Sequence, residues 1–117
     1  MNSDRLLHAS RIAAWVCSAL LVVASWTPGS AMIRTGYSGL LEHAVAYGVT
    51  AAAFMIGYPR VAALRIAGAL SILSVVLEAG QLFVPGRFAG LLDGLAGVVG
   101  TGLTVIVLQI LPNRRAT

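Results

Sequence analysis

The sequence predicts an all-α membrane protein, a single domain in which four transmembrane helices form a bundle. Apolar residues make up 58% of the 117-residue chain and charged residues only 10%, whereas a soluble domain carries about a quarter charged residues. The apolar residues also form four runs whose lengths are at or near the ~20 residues that a helix needs to cross a bilayer. The predicted spans are residues 12–26, 40–58, 61–84 and 91–111.

Proline residues mark where these runs end. A proline follows each of the four runs within two residues, at Pro28, Pro59, Pro85 and Pro112. Proline removes a helical hydrogen bond and glycine favours turns, so Pro-Gly pairs such as Pro85-Gly86 are typical helix boundaries. The runs show no strand-like alternation, and no long linker separates them. The whole of 1–117 is therefore predicted to be one domain.

The first run has a second interpretation, which the sequence leaves open. Arg5 and Arg11 precede it and the small residues 29–31 follow it, as in a cleaved secretory signal peptide. Trp26 and Pro28 equally fit a span that ends at the membrane interface. We favour the span. Cleavage would leave three spans in the same orientation.

The arginines predict the orientation of the helices. The chain has eight arginines and no lysine. With both termini in the cytoplasm, Arg34 and Arg87 lie outside and the other six arginines lie inside, in agreement with the positive-inside rule. We therefore expect a multi-pass protein of the cell's inner (cytoplasmic) membrane with cytoplasmic termini. The basic residues are scattered between apolar runs rather than clustered on one face, so the net charge of +4 does not indicate nucleic-acid binding.

The acidic residues converge on the predicted outer surface. A charge within a span costs about 2.5–3.5 kcal/mol on insertion scales and so needs a reason. In the predicted orientation, Glu42 and His43 lie near the outer start of the second helix. Glu78 lies near the outer end of the third, and Asp93 lies in the first turns of the fourth. Every acid except Asp4 is thus expected at the outer surface.

Helical spacing groups these residues with their polar neighbours. His43 and Tyr47 are four residues apart and share a helical face, and Glu78 and Gln81 are three apart and share another. Glu42 is the weakest candidate, because as the neighbour of His43 it faces a different direction. The predicted functional site comprises His43, Tyr47, Glu78, Gln81, Arg87 and Asp93.

Two members of this set lie at the start of the fourth helix. Asp93 is near a helix N-terminus, where the dipole favours negative charge. Arg87 is on the short loop before it, and we expect it to reach back and pair with Glu78 or Asp93. The same pairs would also arise if the charges only fastened the helices together, so a purely structural role stays open.

Metal and nucleophile chemistry are weakly supported. A single histidine with three carboxylates is a poor zinc set, and the lone Cys17 allows neither an intrachain disulfide nor a cysteine-based zinc site. No cofactor or metal is predicted. Ser71 and Ser74 are expected toward the inner half of their helix, away from the acids. Acid–base catalysis by Glu78 and His43 remains an alternative.

The order of the polar residues resembles the VanZ-like family, small membrane proteins associated with teicoplanin resistance. The similarity covers about residues 40–102. It rests on His43-x-x-x-Tyr47, Glu78-x-x-Gln81, a short turn with Arg87, and then Asp93 and Gly100.

The chain departs from the family pattern at two places. Gly39 and Leu40 stand where the family often has Asp-Lys, and Gly97 stands where it has Asn. The resemblance implies an outward-facing polar pocket that engages an amphiphile. Its partners would be membrane lipids and either a lipoglycopeptide or a lipid-linked envelope precursor. An intramembrane hydrolase or transferase, a structural protein and a homo-oligomer remain open.

Overall fold

Four long α-helices account for most of the structure, a computed structural model that describes residues 2–32, 36 and 38–111. They are α1 (Ser3–Ser25), α2 (Gly39–Gly57), α3 (Ala63–Gly80) and α4 (Leu91–Ile110), with short 3-10 turns at Gly29–Ala31 and Gln81–Phe83. Each helix is long and apolar enough to cross a membrane. The predicted all-α, four-helix architecture is confirmed. Arg34, Pro112, Arg114 and Arg115, which entered the sequence predictions, lie outside the described residues.

The first helix begins well before the predicted span. The side chain of Asn2 accepts hydrogen bonds from the backbone N–H groups of Asp4 and Arg5, at 2.8 and 3.2 Å. This N-cap starts the helix at Ser3, although its first residues are polar. The predicted span, from residue 12, was drawn from the apolar run alone, so it does not include these capped first turns of the helix.

Helix α2 is central to the bundle. It packs most extensively against α4 and next against α1, while α3 packs mainly against α4 and barely contacts α1. Because α2 and α4 begin at the same end of the bundle, they form a parallel pair. The cavity end, as we call it, comprises residues 20–32, 38–50 and 74–97. The arginine end comprises residues 3–11, 54–66 and 107–111.

Glycine permits the close approach of α2 and α4. A Cβ added to Gly100 would overlap the backbone carbonyl of Ala44, and one added to Gly48 would lie 2.8 Å from Thr104 Oγ1. Small residues at crossing points let membrane helices pack backbone to backbone. The contact between α2 and α4 therefore depends on these two glycines.

Large apolar side chains cover the outside of the bundle. Leu64 and Ile72 on α3 are 84% and 67% exposed, and Ile110 at the end of α4 is 76% exposed. No other helix covers these side chains. A helix that is apolar on its outer face as well as its inner one is typical of a membrane span. These faces are suited to contact lipid.

Aromatic and arginine side chains join α1 to α2 at the arginine end. Arg11 Nε donates to the carbonyl of Gly57 at 2.7 Å, and its guanidinium lies 5.0 Å from the centre of the Tyr58 ring. Trp15 Nε1 donates to the Tyr58 hydroxyl at 2.8 Å. The polar groups of these side chains are thus paired with each other or with backbone.

Candidate functional site

Glu78 connects three helices at the cavity end. Its Oε1 accepts a 2.6 Å hydrogen bond from the backbone N–H of Gly90, the residue that precedes α4. Its Oε2 lies 3.8 Å from His43 Nε2 on α2. Gly90 has no side chain with which to cap α4, so a carboxylate from α3 satisfies this N–H and faces the positive end of the helix dipole.

His43 is held in a fixed orientation by its own helix. Its Nδ1 lies 2.9 Å from the carbonyl oxygen of Gly39, one turn earlier. A carbonyl only accepts hydrogen bonds, so Nδ1 carries the proton and Nε2 is the atom presented to Glu78. The histidine can then be neutral, or it can be protonated and form an ion pair with Glu78.

Tyr47 and Ser74 fill the space below Glu78. Tyr47 is 2% exposed, and a Cβ on Gly97 would lie 3.0 Å from both Ser74 Cβ and Tyr47 Cδ2. Any side chain at residue 97 would therefore displace both Ser74 and Tyr47.

The expected position of Ser74 was wrong. It lies in the same half of the bundle as Glu78, one helical turn away, and its Oγ donates to the carbonyl of Gly94 at 2.9 Å. Residue 74 lies past the midpoint of α3 (Ala63–Gly80), on the Glu78 side. It also lies past the midpoint of the predicted span 61–84, so the prediction misjudged its place along the run. Since the Ser74 hydroxyl donates to a backbone carbonyl, it is not positioned as a nucleophile beside His43.

A cavity of about 620 Å³ lies between the end of α1, the start of α2 and the loop before α4. Its wall has two chemical regions. Apolar side chains of α1 and α2 form one region, and polar side chains at the start of α2, at the end of α3 and around the start of α4 form the other. The apolar region includes Cys17, Leu20, Leu21, Ala24, Ala46 and Val49, and the polar region includes Glu42, His43, Tyr47, Gln81, Arg87 and Asp93. Five of the six predicted site residues line this cavity, and Glu78 lies behind His43.

Gln81 lines the cavity and has a buried, unpaired amide nitrogen. The residue is 2% exposed, and its Nε2 has no hydrogen-bond partner among the described residues. A buried donor that is left unpaired costs about 1–3 kcal/mol. The other buried atom of this kind in the described chain is Thr101 Oγ1, on the part of α4 outside the cavity wall.

Arg87 does not pair with Glu78 or Asp93 as expected. Within the part of the chain that the structure describes, its guanidinium makes neither a hydrogen bond nor an ion pair. Glu78 is already bound by the Gly90 N–H and adjoins His43. The half-buried Asp93 carboxylate adjoins Gly39 and Gly90, and it too lacks a hydrogen-bond or ion-pair partner there. Arg87 and Asp93 both face the cavity instead.

Glu42 belongs to the cavity wall although it was the weakest candidate in the sequence. It and its neighbour His43 both line the cavity. The sequence argument gave Glu42 little weight because two adjacent residues on a helix face different directions. The cavity lies on the α1 side of α2, so the start of α2 presents both. Helical spacing alone carries no information on which neighbour covers a face.

Two loops meet beside the cavity. The N–H of Gly29 donates to the carbonyl of Pro85 at 2.9 Å, and a Cβ on Gly29 would overlap the Gly86 carbonyl. Gly86 has a φ of +72°, which glycine adopts without strain. Trp26 at the end of α1 donates to the carbonyl of Leu77 at 3.3 Å. The α1 end is thereby joined to α3 and the following loop, contacts that the sequence did not predict.

The described residues contain no group of three His, Cys, Asp or Glu side chains that could hold a metal ion. Comparisons with protein-family models, with curated proteins and with solved structures found no match. The resemblance to the VanZ-like family therefore rests on the residues and spacings quoted above.

Proposed function

We propose that this chain binds a membrane amphiphile, with its polar head at the cavity end and its hydrocarbon chain along the apolar wall. The observation that carries the proposal is a cavity with one polar and one apolar region, whose lining includes Gln81 with its buried, unpaired amide nitrogen. An acceptor on a ligand would remove the free-energy penalty of this donor. The volume of about 620 Å³ is within the range of about 300–1,000 Å³ found for small-molecule sites.

The distribution of arginines supports an outward-facing cavity. Arg5, Arg11, Arg60 and Arg65 lie at the arginine end, and Arg87 is the one arginine at the cavity end within the described residues. By the positive-inside rule, the arginine end faces the cytoplasm. In this orientation the chain is a multi-pass protein of the cytoplasmic membrane with both termini inside, and the ligand enters from the outer leaflet or the envelope.

The VanZ-like pattern suggests the class of ligand. A lipoglycopeptide such as teicoplanin and a lipid-linked envelope precursor both carry a polar head and a hydrocarbon chain. Either would match the two regions of the cavity wall. The proposal therefore treats this chain as a divergent VanZ-like protein, with Gly97 and Ser74 in place of the family's asparagine.

A second candidate function is acid–base catalysis on a lipid-linked substrate. The observation that favours it is the fixed His43 ring, whose Nε2 faces the Glu78 carboxylate. A histidine oriented by one partner and facing a carboxylate is a common arrangement for general acid–base work. Against it, Glu78 is bound to the Gly90 N–H and the nearby Ser74 hydroxyl donates to backbone. We therefore rank binding above turnover.

The test is to fill the cavity with a side chain. Ala46 lines the cavity, so Ala46→Trp is expected to exclude a hydrocarbon chain. Ala13→Trp, on an exposed face of α1 outside the cavity, is the control. Each protein is purified in mild detergent, and the amphiphiles that copurify are extracted and counted per chain by mass spectrometry.

We expect the unaltered protein and Ala13→Trp to retain about one amphiphile per chain and Ala46→Trp to retain none. Equal retention by both variants would reject the cavity as the binding site. Susceptibility to teicoplanin and to vancomycin, which lacks the acyl chain, is measured in the same strains. Tolerance to teicoplanin that Ala46→Trp removes would identify a lipoglycopeptide ligand, and its absence would remove that ligand class. Conversion of the retained amphiphile that Glu78→Gln stops would favour catalysis.

A further inference from the structure

The chemistry of the polar region specifies the head group, if the cavity binds an amphiphile as proposed above. Three groups there face the cavity without a partner in the described chain: the Arg87 guanidinium, the Gln81 amide and the Asp93 carboxylate. Arg87 and Gln81 Nε2 are donors, and the first is a fixed cation. Asp93, when ionised, only accepts. Because Arg87 and Asp93 carry opposite charges, the ligand that pairs most strongly with both carries an anionic acceptor and a cationic donor.

We infer that the ligand is a zwitterionic lipid whose head carries a phosphate diester and a primary ammonium group, the chemistry of phosphatidylethanolamine. The phosphate oxygens would accept from Arg87 and Gln81, since guanidinium is well suited to phosphate. The ammonium would donate to Asp93, with Glu42 a second carboxylate on the same wall. The acyl chain would follow Leu20, Leu21 and Val49.

Other head groups leave part of this wall unsatisfied. An anionic lipid with no amine would pair with Arg87 but would bring negative charge close to Asp93 and Glu42, where like charges repel. A cationic amphiphile without phosphate would leave Arg87 and Gln81 unpaired. A quaternary ammonium has no N–H to donate, and such cations are usually held by several aromatic rings. The described cavity wall has two aromatic residues, Tyr47 and Phe88, which are too few for such a cage.

The experiment titrates the delipidated protein with single lipids and follows complexes by native mass spectrometry. The probes are phosphatidylethanolamine, phosphatidylglycerol and phosphatidylcholine with identical chains, and glycerophosphoethanolamine, which has the head group but no chains. We expect phosphatidylethanolamine to bind about tenfold more tightly than the other two lipids, because a hydrogen bond between charged groups contributes on the order of one decade in affinity. Glycerophosphoethanolamine should bind at least tenfold more weakly than the lipid.

Single substitutions test which side chains cause the preference for phosphatidylethanolamine. Asp93→Asn should lower the affinity for phosphatidylethanolamine about tenfold, to the level of phosphatidylglycerol, and leave phosphatidylglycerol unchanged or tighter. Arg87→Ala should weaken both lipids about tenfold. Asp4→Asn, at the exposed start of α1, is the control and should change neither. Thermal midpoints confirm that each variant is folded, and Asp93→Glu, which keeps the charge, should retain the preference if Asp93→Asn is unstable.

The outcomes separate this inference from the binding site itself. Phosphatidylglycerol binding as tightly as phosphatidylethanolamine would overturn the zwitterion, and phosphatidylcholine binding as tightly would overturn the primary ammonium group. Either result would leave the amphiphile site intact. Equal binding of glycerophosphoethanolamine would overturn a lipid as the source of the head group. If Asp4→Asn also lost the preference for phosphatidylethanolamine, Asp93 would not be the cause of that preference. If none of the lipids binds and Ala46→Trp retains as much amphiphile as Ala13→Trp, the proposed function fails as well.

Discussion

The two ends of the bundle use similar side chains in opposite ways. At the arginine end, Arg11 is bound to the Gly57 carbonyl and stacked over Tyr58, whose hydroxyl accepts from Trp15. At the cavity end, Arg87 and Gln81 face a cavity and have no partner in the described chain. Arginine satisfied by its own protein stabilises the fold, whereas arginine left unsatisfied is available to a ligand. The comparison predicts that substitutions at the two ends affect different properties.

The largest expected effect is on the contact between α2 and α4, which both ends share. Gly100→Val places side-chain atoms against the Ala44 backbone, and neither helix can move aside without losing its packing. We expect the free energy of unfolding to fall by about 3 kcal/mol. Gly102→Val is the matched control, because a Cβ there would have no atom within 4 Å.

The measurement is reversible unfolding in mixed micelles with increasing denaturing detergent. Gly102→Val should stay within about 0.5 kcal/mol of the unaltered protein. If Gly100→Val were as stable as Gly102→Val, the close packing of α2 on α4 would be contradicted, and with it the position of Glu78 relative to both helices.

The second effect is confined to the arginine end. Arg11→Ala removes a charge-assisted hydrogen bond and a cation–π contact, so we expect the protein to lose about 2 kcal/mol of unfolding free energy. At a temperature at which the variant is folded, the amount of amphiphile that it retains should not change. Arg5→Ala, an exposed arginine on the same helix, is the control for loss of charge alone. A stability loss as large in Arg5→Ala would show that net charge, not the Gly57 and Tyr58 contacts, stabilises this end.

The smallest effect has the opposite sign and belongs to the cavity end. Gln81→Met replaces a buried, unpaired amide with an apolar side chain of similar volume, so we expect the ligand-free protein to gain about 1 kcal/mol of unfolding free energy. The same variant should retain less amphiphile than the unaltered protein. Unfolding of delipidated samples and mass spectrometry of the retained amphiphile measure the two properties. Lower stability in the ligand-free variant would mean that the amide has a partner within the protein.

Helix number and class followed from the sequence because hydrophobic length and proline position are local properties. The boundaries followed less well. Residues 3–11, which include the charged Asp4, Arg5 and Arg11, were left outside the predicted span, yet Asn2 caps α1 so that it begins at Ser3. The apolar pair Val61 and Ala62 was placed inside the third helix, which begins at Ala63. Capping and turn geometry determine where both helices begin, and hydropathy contains no information on capping or on turn geometry.

The sequence indicated which residues lie near the cavity better than it indicated which groups they bind. His43 and Tyr47, whose spacing predicts a shared helical face, both line the cavity. The partner of Glu78 could not be predicted, because it is the backbone N–H of Gly90, and every residue but proline has such a group. The pairing of Arg87 with Glu78 was not predictable for the same reason. Charge indicates which side chains attract each other, but the Glu78 carboxylate binds a backbone N–H at the start of α4 instead.

The parallel pair of α2 and α4 also constrains how the chain is made. During synthesis, α1 and α2 leave the ribosome first and can pack together at once, since Trp15 and Tyr58 are both already present. The most extensive contact of α2 is with α4, the last helix. The face of α2 that packs against α4 therefore has no partner until α4 has been translated. The Gly90 N–H that binds Glu78 also follows α3 in the chain. The cavity end is therefore completed last, and a nascent chain arrested before α4 exposes Glu78 and Gly48 to lipid, where a quality-control protease can recognise it as unfinished.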